Sequence, residues 1–248
     1  MKKIQILFPI LIIILSVYSC KKDDSSTTTS ASDTASTGVP VISGATIFSG
    51  FLTQGFYTTI TDTNTITTSS ARASFSSRAL PYMYIPTAIT VNKVFFGNDS
   101  LTYSSTNKYY TSLFQPTVGV QTWSVTGANS IPTFSYTNAS LQPTLAAVNL
   151  PDSVSKTASF TVTINNVSNS NSAYLTISDV TQSVNFSAQL NNGNNNITII
   201  PANLSAMATG TGGNISISLQ NNLAIHVVAK DFRLTKETQV IKQIKITP

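Results

Sequence analysis

The stretch Ser159-Phe160-Thr161-Val162-Thr163-Ile164 (SFTVTI, residues 159–164) alternates polar and apolar side chains without a fault. A period of two marks a strand with one buried face, because successive side chains leave a pleated backbone on opposite sides. The alternation returns at Ala173/Leu175/Ile177, Val184/Phe186/Ala188/Leu190, Ile215/Ile217/Leu219 and Leu223/Ile225/Val227. The gaps hold turn residues. Asn191-Asn192-Gly193-Asn194 tolerates positive φ, and Gln220-Asn221-Asn222 reads as a hairpin link between two strands. Several short strands within about 90 residues predict a two-sheet antiparallel sandwich. No helix-period stretch competes, and only Asn203 to Met207, after Pro201, reads as a single helical turn.

Residues 45–115 carry the same alternation at Ala45/Ile47, Ile89/Val91, Val94/Phe96 and Leu101/Tyr103, with Gly97-Asn98-Asp99 as a hairpin turn. Their chemistry differs. Sixteen aromatic residues lie from Phe48 to Tyr136, and only Phe160, Tyr174, Phe186 and Phe232 follow. The expected fold is all-β with two β modules: an aromatic-rich one over residues 39–125 and an Ig-like antiparallel sandwich over residues 126–248. Pro116, Pro132, Pro143 and Pro151 suit edges or connections around that boundary, because proline cannot donate to a sheet ladder.

Further upstream, Lys2 and Lys3 precede an apolar run from Ile4 to Val17, the layout of a secretory signal over residues 1–19. The run is shorter than the about 20 apolar residues that a membrane-spanning helix needs. It ends at Cys20, the one cysteine of the chain, which has no partner for an internal disulfide. Residues 20–38 continue as a charged start and a Ser/Thr-rich tether, too poor in apolar area to fold. The motif Val17-Tyr18-Ser19-Cys20 resembles a bacterial lipobox, which implies cleavage before Cys20 and a membrane partnership through lipid on its sulfur. Lys21-Lys22-Asp23-Asp24 resembles the export signal of Bacteroidota-type surface lipoproteins, which implies the outer membrane and the cell surface. The whole layout, through Trp123-Ser124-Val125-Thr126-Gly127 to Gly210-Thr211-Gly212, looks like the uncharacterised surface lipoproteins of that group with an Ig-like region. Three tripeptides, at Asp33, Asp99 and Asp152, resemble O-glycosylation sites of the same group.

Chemistry is sparse. The region from Val39 holds six carboxylates, Asp62, Asp99, Asp152, Asp179, Asp231 and Glu237, and one histidine, His226. No G-x-S-x-G elbow presents a nucleophile, and one histidine with no second cysteine supplies no zinc set. His226 has the parity opposite to Ile225 and Val227, which points it outward. Asp231 and Glu237 lie among Lys230, Arg233 and Lys236, as surface partners would. The reading is of no enzyme, no metal and no cofactor. Without Lys2 and Lys3 the net charge falls to about +3, too mild to argue for nucleic acid. Lys230, Arg233, Lys236, Lys242 and Lys245 crowd the C-terminus and read as an edge strand guarded by charge, with a patch for acidic glycans or lipopolysaccharide phosphates as the alternative.

What remains is a binding, adhesion or cell-envelope structural role, with a glycan-binding accessory protein of a polysaccharide uptake system as the alternative. Tyr109 and Tyr110 must point to opposite sides of a strand, so one of them leaves the core. With Tyr82 and Tyr84 they form the candidate platform for a glycan or a surface protein.

Overall fold

The computed structural model describes residues 48–61, 63–76, 88–113, 120–188 and 195–248. Cys20, the Lys21–Asp24 motif, the tether, Tyr82, Tyr84, Asp62, Pro116 and the Asn191–Asn194 turn lie outside the described residues. The described chain is strand almost throughout, and the all-β expectation holds. The strands in chain order are β1 (Gly50–Ile60), β2 (Thr65–Ser76), β3 (Ala88–Ile89), β4 (Lys93–Phe96), β5 (Asp99–Ser100) and β6 (Thr102–Ser104). Next come β7 (Tyr109–Leu113), β8 (Gln121–Thr126), β9 (Phe134–Asn138), β10 (Thr144–Val148), β11 (Ser153–Ser155) and β12 (Phe160–Ser168). The chain ends with β13 (Ser172–Ser178), β14 (Ser183–Ala188), β15 (Asn195–Ile199), α1 (Pro201–Leu204), β16 (Gly210–Val227) and β17 (Lys230–Thr247). Helix α1 begins at Pro201 and so starts two residues ahead of the expected turn at Asn203 to Met207, and the Ile200 N–H before it donates to Asn203 Oδ1 at 3.1 Å.

Three sheets build two sandwiches end to end. A ten-stranded sheet runs β14-β13-β16-β17-β1-β2-β7-β6, with β11 on β17 and β3 on β2. A four-stranded sheet, β5-β4-β8-β9, covers one end of its inner face, and a three-stranded sheet, β10-β12-β15, covers the other. In the second sandwich β12 pairs with β15 while β13 pairs with β14 and β16. The chain therefore crosses between sheets from β12 to β13, from β14 to β15 and from β15 to β16, in the Greek-key manner of an Ig-like domain. Strand β11 runs parallel to β17 from Lys245, and β1 runs parallel to it over Phe232 to Lys242.

Two cores result, and they share strands. The first gathers Leu52, Phe75, Phe96, Tyr110, Trp123, Phe134 and Tyr136 with Ile225, Val227, Phe232 and Leu234. The second gathers Val162, Ile164, Leu175, Ile177, Ile197 and Ile199 with Ile215, Ile217, Leu219, Ile244 and Ile246. The first core thus extends past residue 125 to Tyr136, and takes in the far ends of β16 and β17. The aromatic-rich stretch also ends at Tyr136, so it follows the first core rather than the expected module boundary after residue 125.

Two sequence expectations are corrected by β16 and β17. Gln220-Asn221-Asn222 is no hairpin but the middle of an 18-residue strand, and the chain reverses instead at Val228-Ala229 between the paired Val227 and Lys230. The parity of Ile215, Ile217 and Leu219 carries on through Leu223, Ile225 and Val227, so Asn221 faces inward between the cores. There its amide donates to Leu141 O at 3.2 Å. Likewise β17 is no edge, being hydrogen-bonded on one side to β16 and on the other to β1 and β11. Its lysines do separate jobs: Lys242 Nζ holds Leu150 O at 2.8 Å and Asp152 at 2.6 Å, while Lys236 is only 4% exposed. Among described residues, no helix is long and apolar enough to cross a membrane.

Candidate functional site

The face of the ten-stranded sheet turned away from both cores carries the residues with recognition chemistry. The register sets which side chains share it. Thr53 on β1 stands opposite Arg72 on β2 and Thr235 on β17, and Arg72 stands opposite Thr111 on β7. Because side chains alternate, Tyr109, Arg72, Phe51, Thr53, Tyr57, Arg233 and Glu237 all lie on this outer face. Farther along it come Gln220, Ser218 and Tyr174, the last opposite Ser218.

An ordered stack occupies the centre. Tyr57 lies back over Gly55, where any Cβ would meet the tyrosine ring and hydroxyl at 2.0 to 2.5 Å, so only glycine accommodates it. Above the Tyr57 ring sits the Arg72 guanidinium, 5.2 Å from the centroid, and Arg72 also lies 5.9 Å from the Tyr109 ring. Such cation–π contacts hold a guanidinium in place while leaving its N–H groups available. Tyr57 is 6% exposed, and its hydroxyl donates to Glu237 Oε2 at 3.2 Å. Burial raises the Tyr57 phenol well above its ordinary range, as does the Glu237 carboxylate, while Arg72 pulls it down. Glu237 Oε1 also accepts from Ser218 Oγ and, at 3.2 Å, from Gln220 Nε2. Glu237 is therefore engaged within the face rather than by the neighbouring basic residues that its sequence context suggested.

Phe51, 37% exposed, lies against Phe48 with ring centroids 5.7 Å apart. Arg233 donates through Nε to Asn222 Oδ1 at 3.0 Å. At the hairpin end of the same face, His226 Nδ1 lies 2.6 Å from Asp231 Oδ1, both side chains partly exposed. His226 faces outward as its parity predicts, and Asp231 pairs with it rather than with a lysine.

Of the candidate platform, Tyr109 is on this face and half-buried, opposite in direction to Tyr110 as the strand geometry requires. Tyr110 is not a platform residue. It is 5% exposed in the first core, edge-on to Phe75 at 6.0 Å, and its hydroxyl donates to Val91 O and accepts from Val91 N–H, both at 2.7 Å. Sequence reasoning missed Arg72 and Tyr57, whose apposition depends on strand pairing that no local pattern encodes. Gly55 two residues before Tyr57 was the one local sign.

Elsewhere, Asp179 clamps the β13–β14 turn to the loop before β16. Its carboxylate accepts from Thr181 N–H at 2.6 Å, Thr181 Oγ1 at 2.7 Å, Gln182 N–H at 2.7 Å and Ala208 N–H at 2.5 Å. Burial pushes its pKa up, but the hydrogen bonds outweigh this and bring it to about 2. Among described residues, no three histidine, cysteine or acidic side chains gather as metal ligands would.

No protein-family model matches the chain, and neither does any curated protein. A solved structure from work on host cell surface retention of a 1.5-MDa bacterial ice-binding adhesin is similar at 12% identity and a TM-score of 0.23. The alignment covers 79% of this chain and 65% of that one, and at such a score it carries no argument about fold or function.

Proposed function

We propose that this chain is a non-catalytic binding module, held outside the cell by lipid on Cys20, with the outer face of the ten-stranded sheet as its contact surface. The observation that supports this most is the Tyr57–Arg72–Tyr109 stack, built across three strands on a face that neither small sheet covers. Its surroundings, Thr53, Thr111 and Gln239, place hydrogen-bonding side chains beside aromatic rings, which suits glycans. A spacer role is the second reading, favoured by β16 and β17: each runs 18 residues, about 60 Å, and serves both cores.

Two experiments test the proposal. Mass spectrometry of the membrane fraction is expected to find acylated Cys20 as the first residue, and alanine at Lys22, Asp23 and Asp24 is expected to hide the protein from protease added to whole cells. In the full-length protein, Tyr109→Ala is expected to weaken retention on immobilised polysaccharides without lowering the melting temperature. Retention equal to wild type would remove the outer face as the contact surface.

A further inference from the structure

We infer that Arg72 and Arg233 form a two-point site for a carboxylate-bearing polysaccharide lying across β2, β1 and β17. The inference rests on the outer face being the contact surface and adds the charge of its ligand.

The arginines on this part of the face lack an ionic partner among the described residues, although Asp231, His226 and Glu237 stand on the same face. Both carboxylates are engaged within the face, Asp231 with His226 and Glu237 with Tyr57, Ser218 and Gln220. Neither arginine has an ion pair among the described residues. Arg72 makes no hydrogen bond among them either, being held only by the two tyrosine rings, and Arg233 uses Nε alone, on Asn222. Two planar forks thus keep their terminal N–H groups for an acceptor that the described residues do not supply. A guanidinium matches a carboxylate with two parallel hydrogen bonds, and one already fixed by stacking gives up little freedom in doing so.

The spacing favours a polymer over a small acid. Arg72 stands opposite Thr53, and Arg233 stands opposite Phe51 on the other side of β1. Two strand spacings and one same-face step separate them, roughly 12 Å between α-carbons. Between and beside them lie the exposed edge of Phe51 and the ring of Tyr109, surfaces on which sugar rings rest. A lipid headgroup would use the charge but not these rings.

The test uses full-length protein in detergent and two immobilised polymers of one backbone, polygalacturonate and its fully methyl-esterified form. Wild type is expected to be retained on the acid and not on the ester, and to weaken steeply as salt rises from about 0.1 to 1 M, where the screening length drops from about 10 to 3 Å. Arg72→Gln and Arg233→Gln are each expected to lower affinity about 10-fold, roughly 1.4 kcal/mol. Arg72→Lys, which keeps the charge and loses the fork, is expected to fall between. Arg233→Gln leaves the tyrosine stack intact, so it serves if Arg72→Gln unfolds. Equal retention on acid and ester, no retention on either, or wild-type affinity in both Gln variants overturns the inference. Retention on the ester that Tyr109→Ala removes overturns the charge alone and leaves the contact face standing.

Discussion

The two cores are built on the same pair of strands and filled with different chemistry. The first is aromatic: Phe96 lies 4.7 Å from Trp123, and Phe232 joins Phe134 at 4.6 Å to Phe75 at 6.5 Å. The second holds Ile, Leu and Val on both of its inner faces. Strand β17 changes character along its length to suit, from Phe232 and Leu234 to Ile244 and Ile246, while β16 stays aliphatic from Ile215 to Val227. Where the cores meet, their inward residues turn polar: Gln54, Asn221, Lys236 and Thr238. Most of the aromatic excess is therefore a way of filling one sandwich, and the rings that escape it are the ones with recognition chemistry.

The sharpest attack on that comparison is to empty each core in turn. Trp123 is fully buried and belongs to a strand of the small sheet that the second core does not use. Trp123→Ala should cost about 3–5 kcal/mol, and Ile197→Ala, its counterpart on β15, about 2–4 kcal/mol. Denaturant unfolding followed by hydrogen exchange would tell whether each loss stays in its own half. Because β16 and β17 thread both cores, protection of Ile217 should fall in the Trp123→Ala protein. Unchanged protection there would mean that the halves unfold independently.

A finer test separates the two tyrosines. Tyr110→Phe leaves a buried Val91 carbonyl and amide without their partner and should cost about 1–3 kcal/mol. Tyr109→Phe should leave the melting temperature within error, since that ring lies on the outer face. Equal losses would mean that the outer face contributes to stability as much as the core does.

How much of this was legible follows from the range of each signal. Alternation is local, and it identified β12, β13, β14 and β16 of the second sandwich, including Phe160 to Ile164 and Ala173 to Ile177, but not β10, β11, β15 or β17. It also held the truth about β16, since odd parity never breaks from Ile215 to Val227. Three consecutive Gln and Asn residues outweighed it because they usually mark turns, whereas here two face outward and Asn221 spans the junction. The place of β17 between β16 and β1 was hidden, because a parallel partner some 180 positions away leaves no trace in either strand. The stack of Arg72 on Tyr57 was hidden for the same reason. The direction of Tyr109 and the outward parity of His226 needed only the pleat, and both were readable.

Asp179 offers a test confined to the second sandwich. Its folded pKa, about 2, lies below the ordinary carboxylate value of 3.8. The clamp therefore adds stability that is fully present above about pH 4 and is lost as pH falls toward 2. Asp179→Asn should lower stability at pH 7 by about 1 kcal/mol, a figure kept small because the carboxylate is partly exposed. Thermal melts of the two proteins should converge between pH 4 and 2. A difference that persists at pH 2 would assign the effect to shape rather than charge.

The smallest expected effect lies at the junction itself, and its sign is the unusual part. Lys236 is on the inner face between the cores, 4% exposed, with no hydrogen bond or ion pair among the described residues, and burial lowers its pKa from 10.5. Burial penalises the charged ammonium, and that cost opposes folding. Between the lowered value and 10.5 the folded chain gives up its proton while the unfolded chain keeps it, and folding becomes more favourable as pH rises. Lys236→Met keeps the length and removes the charge. It should raise stability by roughly 0.5–1 kcal/mol at pH 7, and the gain should shrink as pH approaches 10. Melting curves from pH 6 to 10 would measure it. A Met variant that is less stable at pH 7 would mean that the polar junction holds the two sandwiches together, and that the aromatic and aliphatic cores are not the whole account of how they are joined.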